Sequence, residues 1–386
     1  MTTVQRSEVV ERATAIGTKI AAPVADDVDS RARFPFETFE ALQSSGLLGT
    51  LIPVEFGGIG ASLSEAGASV TAISRACSSC GLILAIHHSQ VASLVRHGYT
   101  TPLQDFIAEI ASEQFLLASA TTEAGVGGAL RESICAVTTN DYGFELEKVA
   151  SVVSHGAYAD AVLASARRNE QSPPSDQVLV VCRPPGLRLE QTGEWDTLGM
   201  RGTCSPGFVL HASGSPEMIL PVPFAQVAEQ TMLPISHILW ACCWLGIASA
   251  AVDRARSLVH AHARRNVDVP PRGAPGLADL ILGCRQLEAL VRDAVAEFDR
   301  LDASHRDGVP MAFTISMNSL KITASRLVIE IVSQALILCG MAGYAQRTPL
   351  SLGRQLRDAF SAAVMINNTR ILADNARMLS ISSGMI

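Results

Sequence analysis

Several short stretches of this chain bring together residue types that do chemistry. Cys77-Ser-Ser-Cys80 has the spacing of half a zinc site, but no second pair of ligands follows it, so the two thiols read as helix packing. His87 and His88 are adjacent, and on a helix they point to different faces. Packing or solvent contact suits them better than shared metal ligation. The run Thr121-Thr-Glu-Ala-Gly-Val-Gly-Gly-Ala129 is a glycine-rich turn able to aim backbone N–H groups at a phosphate. It lacks a GxGxxG-plus-helix setting and a Walker lysine, so its spacing alone names no ligand. In Trp195–Ser205, Gly199 and Gly202 bracket Met200-Arg201, which calls for a tight turn or a close approach and, on spacing alone, a β-turn between strands. Cys204 and Ser205 lie there without a histidine in sequence context, so neither reads as a nucleophile.

The rest of the chain must supply the frame for these stretches. Its 386 residues are 48% hydrophobic and 17% charged, enough to bury a large core in more than one domain. The net charge of −7 marks no surface for nucleic acid or anionic lipid. The N-terminus has no secretory pattern and no uninterrupted apolar run is long enough to span a bilayer, so a cytoplasmic protein without a membrane partner is expected. Nine scattered cysteines in apolar settings suit reduced thiols.

Periodicity divides the chain in three. Residues 1–118 form an N-terminal helical domain, in which Pro53 and Gly57-Gly58 stop a helix and Ser62 or Ser64 caps the next. Residues 119–225 form a middle β-domain, with strands expected at 115–120, 134–139, 144–149, 161–166, 178–182 and 208–210. Residues 226–386 form a C-terminal four-helix bundle. Leu320, Ala324, Leu327, Val328, Ile331, Ala335 and Leu338 make one apolar stripe, Leu277–Leu287 another, and 238–262 and 356–378 complete the four long helices. Pro270–Gly276 is a loop.

Gly199-Met-Arg-Gly-Thr203 followed by Ser205, with Gly46–Gly60, the Thr121–Ala129 turn, Gly340-Met-Ala-Gly343-Tyr344 and Arg354–Asp358 in the same order, resembles the acyl-CoA dehydrogenase family over nearly the whole chain. The resemblance implies that family's mainly α fold with an inserted β-domain. It also implies flavin adenine dinucleotide (FAD) between the β-domain and the bundle, and an acyl thioester, on CoA or a carrier protein, as substrate. α,β-Oxidation is the inherited reaction, with electrons passing to an electron-transfer flavoprotein or to oxygen. The family's turn reads Thr-Glu-Pro and then Gly-Ser-Asp, where this chain has Ala124, Gly128 and Ala129. The family's catalytic glutamate corresponds to Asn367 in Asn367-Asn368-Thr369, and asparagine accepts no proton at neutral pH. The family's other base location falls near Ser236-His237, where His237 is the available base and Ser236 reads as an N-cap.

The resemblance assigns flavin contacts to Thr122, Val152 (where the family has tryptophan), Ser154, Gly340 and Thr369. Arg264 or Arg265 would reach the pyrophosphate across a subunit interface. Met341 replaces a glycine and Ile337 a glutamine. The lost base leaves room for three other readings: a flavin-dependent monooxygenase, a flavin-free dehydratase, lyase or cyclase, and a non-catalytic binding subunit. Asn367 would orient a carbonyl or hydroxyl through its amide or serve as a satisfied interior amide. Arg201 and Asp358 read as structural partners, and a homodimer or homotetramer is expected.

Overall fold

The computed structural model describes residues 3–127, 129–140, 143–265, 271, 273–304 and 308–381. Gly128, Pro270 and Arg272, which entered the turn and loop readings above, lie outside the described residues. Six helices open the chain: α1 (Thr3–Ile16), α2 (Ala22–Arg31), α3 (Phe36–Ser44), α4 (Leu63–Ala76), α5 (Ser78–His97) and α6 (Thr101–Glu113). Ser62 is the cap of α4. Its hydroxyl accepts the Glu65 N–H while the Glu65 carboxylate accepts the Ser62 N–H at 2.9 Å, a reciprocal capping box.

Among the described residues seven strands follow: β1 (Leu117–Ala120), β2 (Thr138–Asn140), β3 (Gly143–Ala150), β4 (Ala161–Arg167), β5 (Gln177–Cys182), β6 (Leu187–Gln191) and β7 (Phe208–Gly214). They form a three-stranded sheet, β1-β4-β5, and a four-stranded sheet, β2-β3-β7-β6. Among the described strands β1 and β4 pair in parallel, Leu117 opposite Ala161, and the other strand pairs are antiparallel. Side-chain alternation sets the layers. Leu117, Leu163, Leu179 and Val181 pack with Phe106 and Ile110 of α6, while Val162, Ala164, Val178 and Val180 face Phe144, Leu146, Phe208 and Leu210 of the second sheet. The first sheet is therefore buried on both faces, and β3 alternates because its outer face meets water.

The C-terminal part comprises α7 (Phe224–Val227), α8 (Leu233–Arg265), α9 (Ala274–Ser304), α10 (Met311–Cys339), α11 (Met341–Tyr344), α12 (Gly353–Val364) and α13 (Asn368–Ile381). α8 is apolar almost all round and packs on α4, α5, α9, α10 and α12, which puts it at the centre of the helical core. Gly246 lets α4 approach, since a Cβ there would sit 2.6 Å from the Ser74 Cβ and the Thr71 carbonyl oxygen. By length and hydropathy the helical stretch 224–265 and α10 are able to cross a membrane, contrary to the sequence reading. Their most apolar windows are 89% and 44% buried inside the protein.

Two further expectations change. The fourth long bundle helix is two helices, because the chain breaks at Ile366, a β-branched residue at φ 48°. The Trp195–Ser205 stretch joins the paired strands β6 and β7, but as a clamped 3-10 turn and not a β-turn. Met200 N–H donates to Asp358 Oδ1 at 2.7 Å, and Arg201 Nε donates to the Asp29 carbonyl at 2.9 Å. Arg357 reaches both Asp29 and the Leu198 carbonyl. Gly199 is required there, since a Cβ would lie 2.3 Å from the Arg357 carbonyl oxygen.

Candidate functional site

The β-domain supplies one wall. The turn after β1 carries Gly125 and Gly127 at positive φ and is held from below by Glu123. Glu123 Oε1 accepts the N–H groups of Ile134 and Cys135 at 3.0 and 2.7 Å, and Oε2 accepts the Ser133 hydroxyl at 2.7 Å and Lys148 Nζ at 3.0 Å. Burial pushes this carboxyl up, but the Ser133 hydroxyl, the Lys148 charge and the Cys135 N–H together hold it below its ordinary value. Above this anchor, Thr122 Oγ1 donates to the Val152 carbonyl at 2.8 Å. Ser205 donates to Ser154 Oγ at 3.0 Å and shares a 2.8 Å bond with Thr203. Thr122, Val152 and Ser154 are thus brought together, with the Val152 side chain left accessible.

The bundle supplies the other wall at the α12–α13 break. Asn367 is exposed and not an interior amide; its Oδ1 accepts the Thr369 N–H at 2.8 Å and caps α13. Thr369, exposed in the first turn, contributes its N–H to that cap. One turn on, the Arg370 guanidinium donates to the Gly127 carbonyl, so the start of α13 faces the glycine-rich turn.

His237 lies inside α8 and is 2% exposed. Its Nδ1 bonds the Met317 carbonyl at 3.2 Å, and burial with the nearby Lys321 charge pulls it down to about 4. Such a weakly basic, enclosed imidazole is a poor proton acceptor. Ser236 is interior to the helix and not an N-cap, because α8 continues a helical turn from Ala228–Met232; its hydroxyl pairs with Ser89 at 2.7 Å.

Arg264 and Arg265 end α8 and are exposed, and Gly340, at φ 56°, ends α10. The stretch from His237 to Arg264 spans about 40 Å of helix. Within one chain these arginines are therefore remote from the end of α8 that carries His237.

A flavin fits the wall by its chemistry. An accessible apolar side chain at Val152 flanked by the Thr122 and Ser154 hydroxyls suits a planar ring with polar edges, and the turn offers backbone polar groups. In one chain the phosphates would lack the arginines at the far end of α8. Sequence reasoning missed Glu123, Lys148, Lys321 and Arg370. Lys148 had a signal, since it falls on the inward phase of β3 with Phe144, Leu146 and Ala150. His87, buried, has both ring nitrogens bonded to backbone groups of Leu48 and Leu117; all nine cysteines are free, and among the described residues no group of three ligands is arranged to hold a metal.

Comparison with known proteins adds two family matches: acyl-CoA dehydrogenase, N-terminal domain, over residues 3–114, and acyl-CoA dehydrogenase, C-terminal domain, over residues 225–365. The chain is 23% identical to the short-chain specific acyl-CoA dehydrogenase of Clostridium acetobutylicum over 350 residues, 87% of each protein. It is 26% identical to an amino sugar nitrososynthase of Streptomyces peucetius over 362 residues, 88% of this chain and 84% of that one. The FMN-bound dibenzothiophene monooxygenase of Paenibacillus sp. A11-2 shares the fold with a TM-score of 0.83 at 23% identity, covering 96% of this chain and 97% of that one.

Proposed function

The chain belongs to the acyl-CoA dehydrogenase family of flavin-dependent enzymes, and from that premise we propose that it is a flavin-dependent monooxygenase. The observation that carries this reading is the site's missing base. Asn367 stands where α-proton abstraction needs a carboxylate, its oxygen is engaged in capping α13, and His237 is enclosed and weakly basic. Oxygenation requires no α-proton base. Bound reduced flavin would supply the electrons that split dioxygen, one atom going to substrate and the other to water.

The residues that would hold the cofactor are Thr122, Val152 and Ser154 on the β-domain wall, with Asn367 and Thr369 opposite. Arg264 and Arg265 complete the site from a second copy, because helix length removes them from their own chain's site. Ile337, Met341 and Tyr344, exposed beside Gly340, give that end of the bundle an apolar surface suited to such a contact.

Titration with FAD and FMN followed by reduction under ¹⁸O₂ tests the reading on heteroaromatic, aminated and acyl thioester substrates. Label in a product supports it. Reduced flavin reoxidised with no labelled product from any of the three classes overturns it. The whole-length likeness to dehydrogenases keeps thioester α,β-oxidation as the second reading, marked by an enoyl product without label.

A further inference from the structure

Beneath the α12–α13 break lies a buried polar cluster that the chemistry proposed above leaves unused. Lys321, on α10, is fully buried; its Nζ donates to the Ile366 carbonyl at 2.6 Å and to Asn368 Oδ1 at 2.7 Å, and it lies 6.0 Å from the centre of a Trp244 ring. Asn368 Nδ2 bonds Ser325 Oγ at 3.0 Å, and Ser325 donates to the Ile322 carbonyl at 2.8 Å. A second amide pair, Asn318 Nδ2 to Asn375 Oδ1 at 2.8 Å, ties α10 to α13 further along. A lysine taken out of water needs acceptors, and here the acceptors belong to the two residues that flank Asn367. Ile366 holds a left-handed conformation that β-branched residues avoid, so this backbone requires an external restraint. The lysine bond to its carbonyl supplies one.

We propose that Lys321 and Asn368 are positioning residues that lock the Ile366–Thr369 segment, so that Asn367 offers its amide N–H groups to an acceptor atom on the substrate. Asn367 Oδ1 is already engaged by the Thr369 N–H, so what this exposed side chain still has to offer a ligand is its amide N–H pair. The substrate class is therefore one with a carbonyl, imine or ring-nitrogen acceptor beside the reacting atom. The inference rests on reading the Thr122–Ser154 wall and the start of α13 opposite it as the reaction site.

The test uses the full-length protein and the variants Lys321→Met, Lys321→Arg and Asn368→Ala. Hydrogen exchange across 366–370 is expected to quicken at least tenfold in Lys321→Met and Asn368→Ala, with the interiors of α10 and α12 unchanged. For any substrate turned over, kcat falls at least tenfold while KM moves less than threefold, and Lys321→Arg recovers part of the loss. Exchange within twofold of the parent, in either variant, overturns the proposal, as does a fall in kcat matched by an equal rise in KM. If Lys321→Met does not fold, Asn368→Ala decides alone, since its side chain is only half-buried. A parent that turns over nothing refutes the oxygenase reading and leaves the exchange result to decide on positioning.

Discussion

Replacing Lys148 by methionine removes the cation from the anchor under the glycine-rich turn. The Lys148 side chain is 0% exposed and that of Glu123 4%, so the carboxylate left behind cannot recruit bulk water. Breaking one side of a buried pair costs about 3–5 kcal/mol, and the Ser165 carbonyl, which loses a 2.8 Å bond from Nζ, adds about 1 kcal/mol. Against a typical total of about 5–15 kcal/mol, that loss opens the β-domain locally before the bundle. Hydrogen exchange over 133–150 gives the opening free energy directly. The double variant Glu123→Gln, Lys148→Met separates charge from packing. A Gln oxygen at the Oε1 position still accepts the Ile134 and Cys135 N–H groups, its amide can donate to Ser133, and no buried charge remains. At least half of the lost stability should return. A single-variant loss below about 1 kcal/mol, or a double variant as weak as the single, would refute the reasoning.

Three further outcomes follow from the same contacts. Burial pulls His87, His97, His155 and His237 down to about 4 and His88 well below its ordinary value, whereas unfolded histidine titrates near 6.5. Between those values the unfolded chain binds more protons, so the histidines' contribution is full above about pH 7 and falls through the window, by about 2 kcal/mol per histidine at pH 5; denaturant unfolding that is flat from pH 7 to 5 would contradict this. Gly199→Ala should cost about 1–3 kcal/mol, because its Cβ meets the Arg357 carbonyl, whereas Gly193→Ala, with nothing within 4 Å, should be near neutral in thermal unfolding. Val152→Trp should tighten flavin binding about fivefold by adding a ring face, read by fluorescence titration; unchanged or weaker binding would remove Val152 from the flavin wall.

The core helices were legible because their signals are local. The stripe from Leu320 to Leu338 and the 238–252 run, apolar but for Ser249, follow the helical repeat, and Pro53 with Gly57-Gly58 ends a segment wherever it is found. β6 was not legible, since Leu187–Gln191 is a mostly exposed edge strand of mixed polarity. The break at Ile366 was hidden for another reason. No proline or glycine marks it, and what holds it is Lys321, 45 residues earlier in sequence. On the β-domain side the resemblance named Thr122, Val152 and Ser154, which the fold brings together, yet the buried ion pair beneath them was visible only as a charge out of place in β3. On the bundle side it pointed to Asn367 without showing that its oxygen caps a helix. Arg264 and Arg265 lie at the far end of α8, a distance that the order of residues alone does not give.

The most direct test of the missing base is anaerobic mixing of the flavin-loaded, oxidised protein with butyryl-CoA and longer acyl-CoAs, followed by absorbance. No bleaching of the flavin over minutes is predicted for the parent, because Asn367 takes no proton, and Asn367→Glu should bring bleaching and α-deuterium exchange. Rapid bleaching by the parent would contradict the account, since another group would then be removing the α-proton.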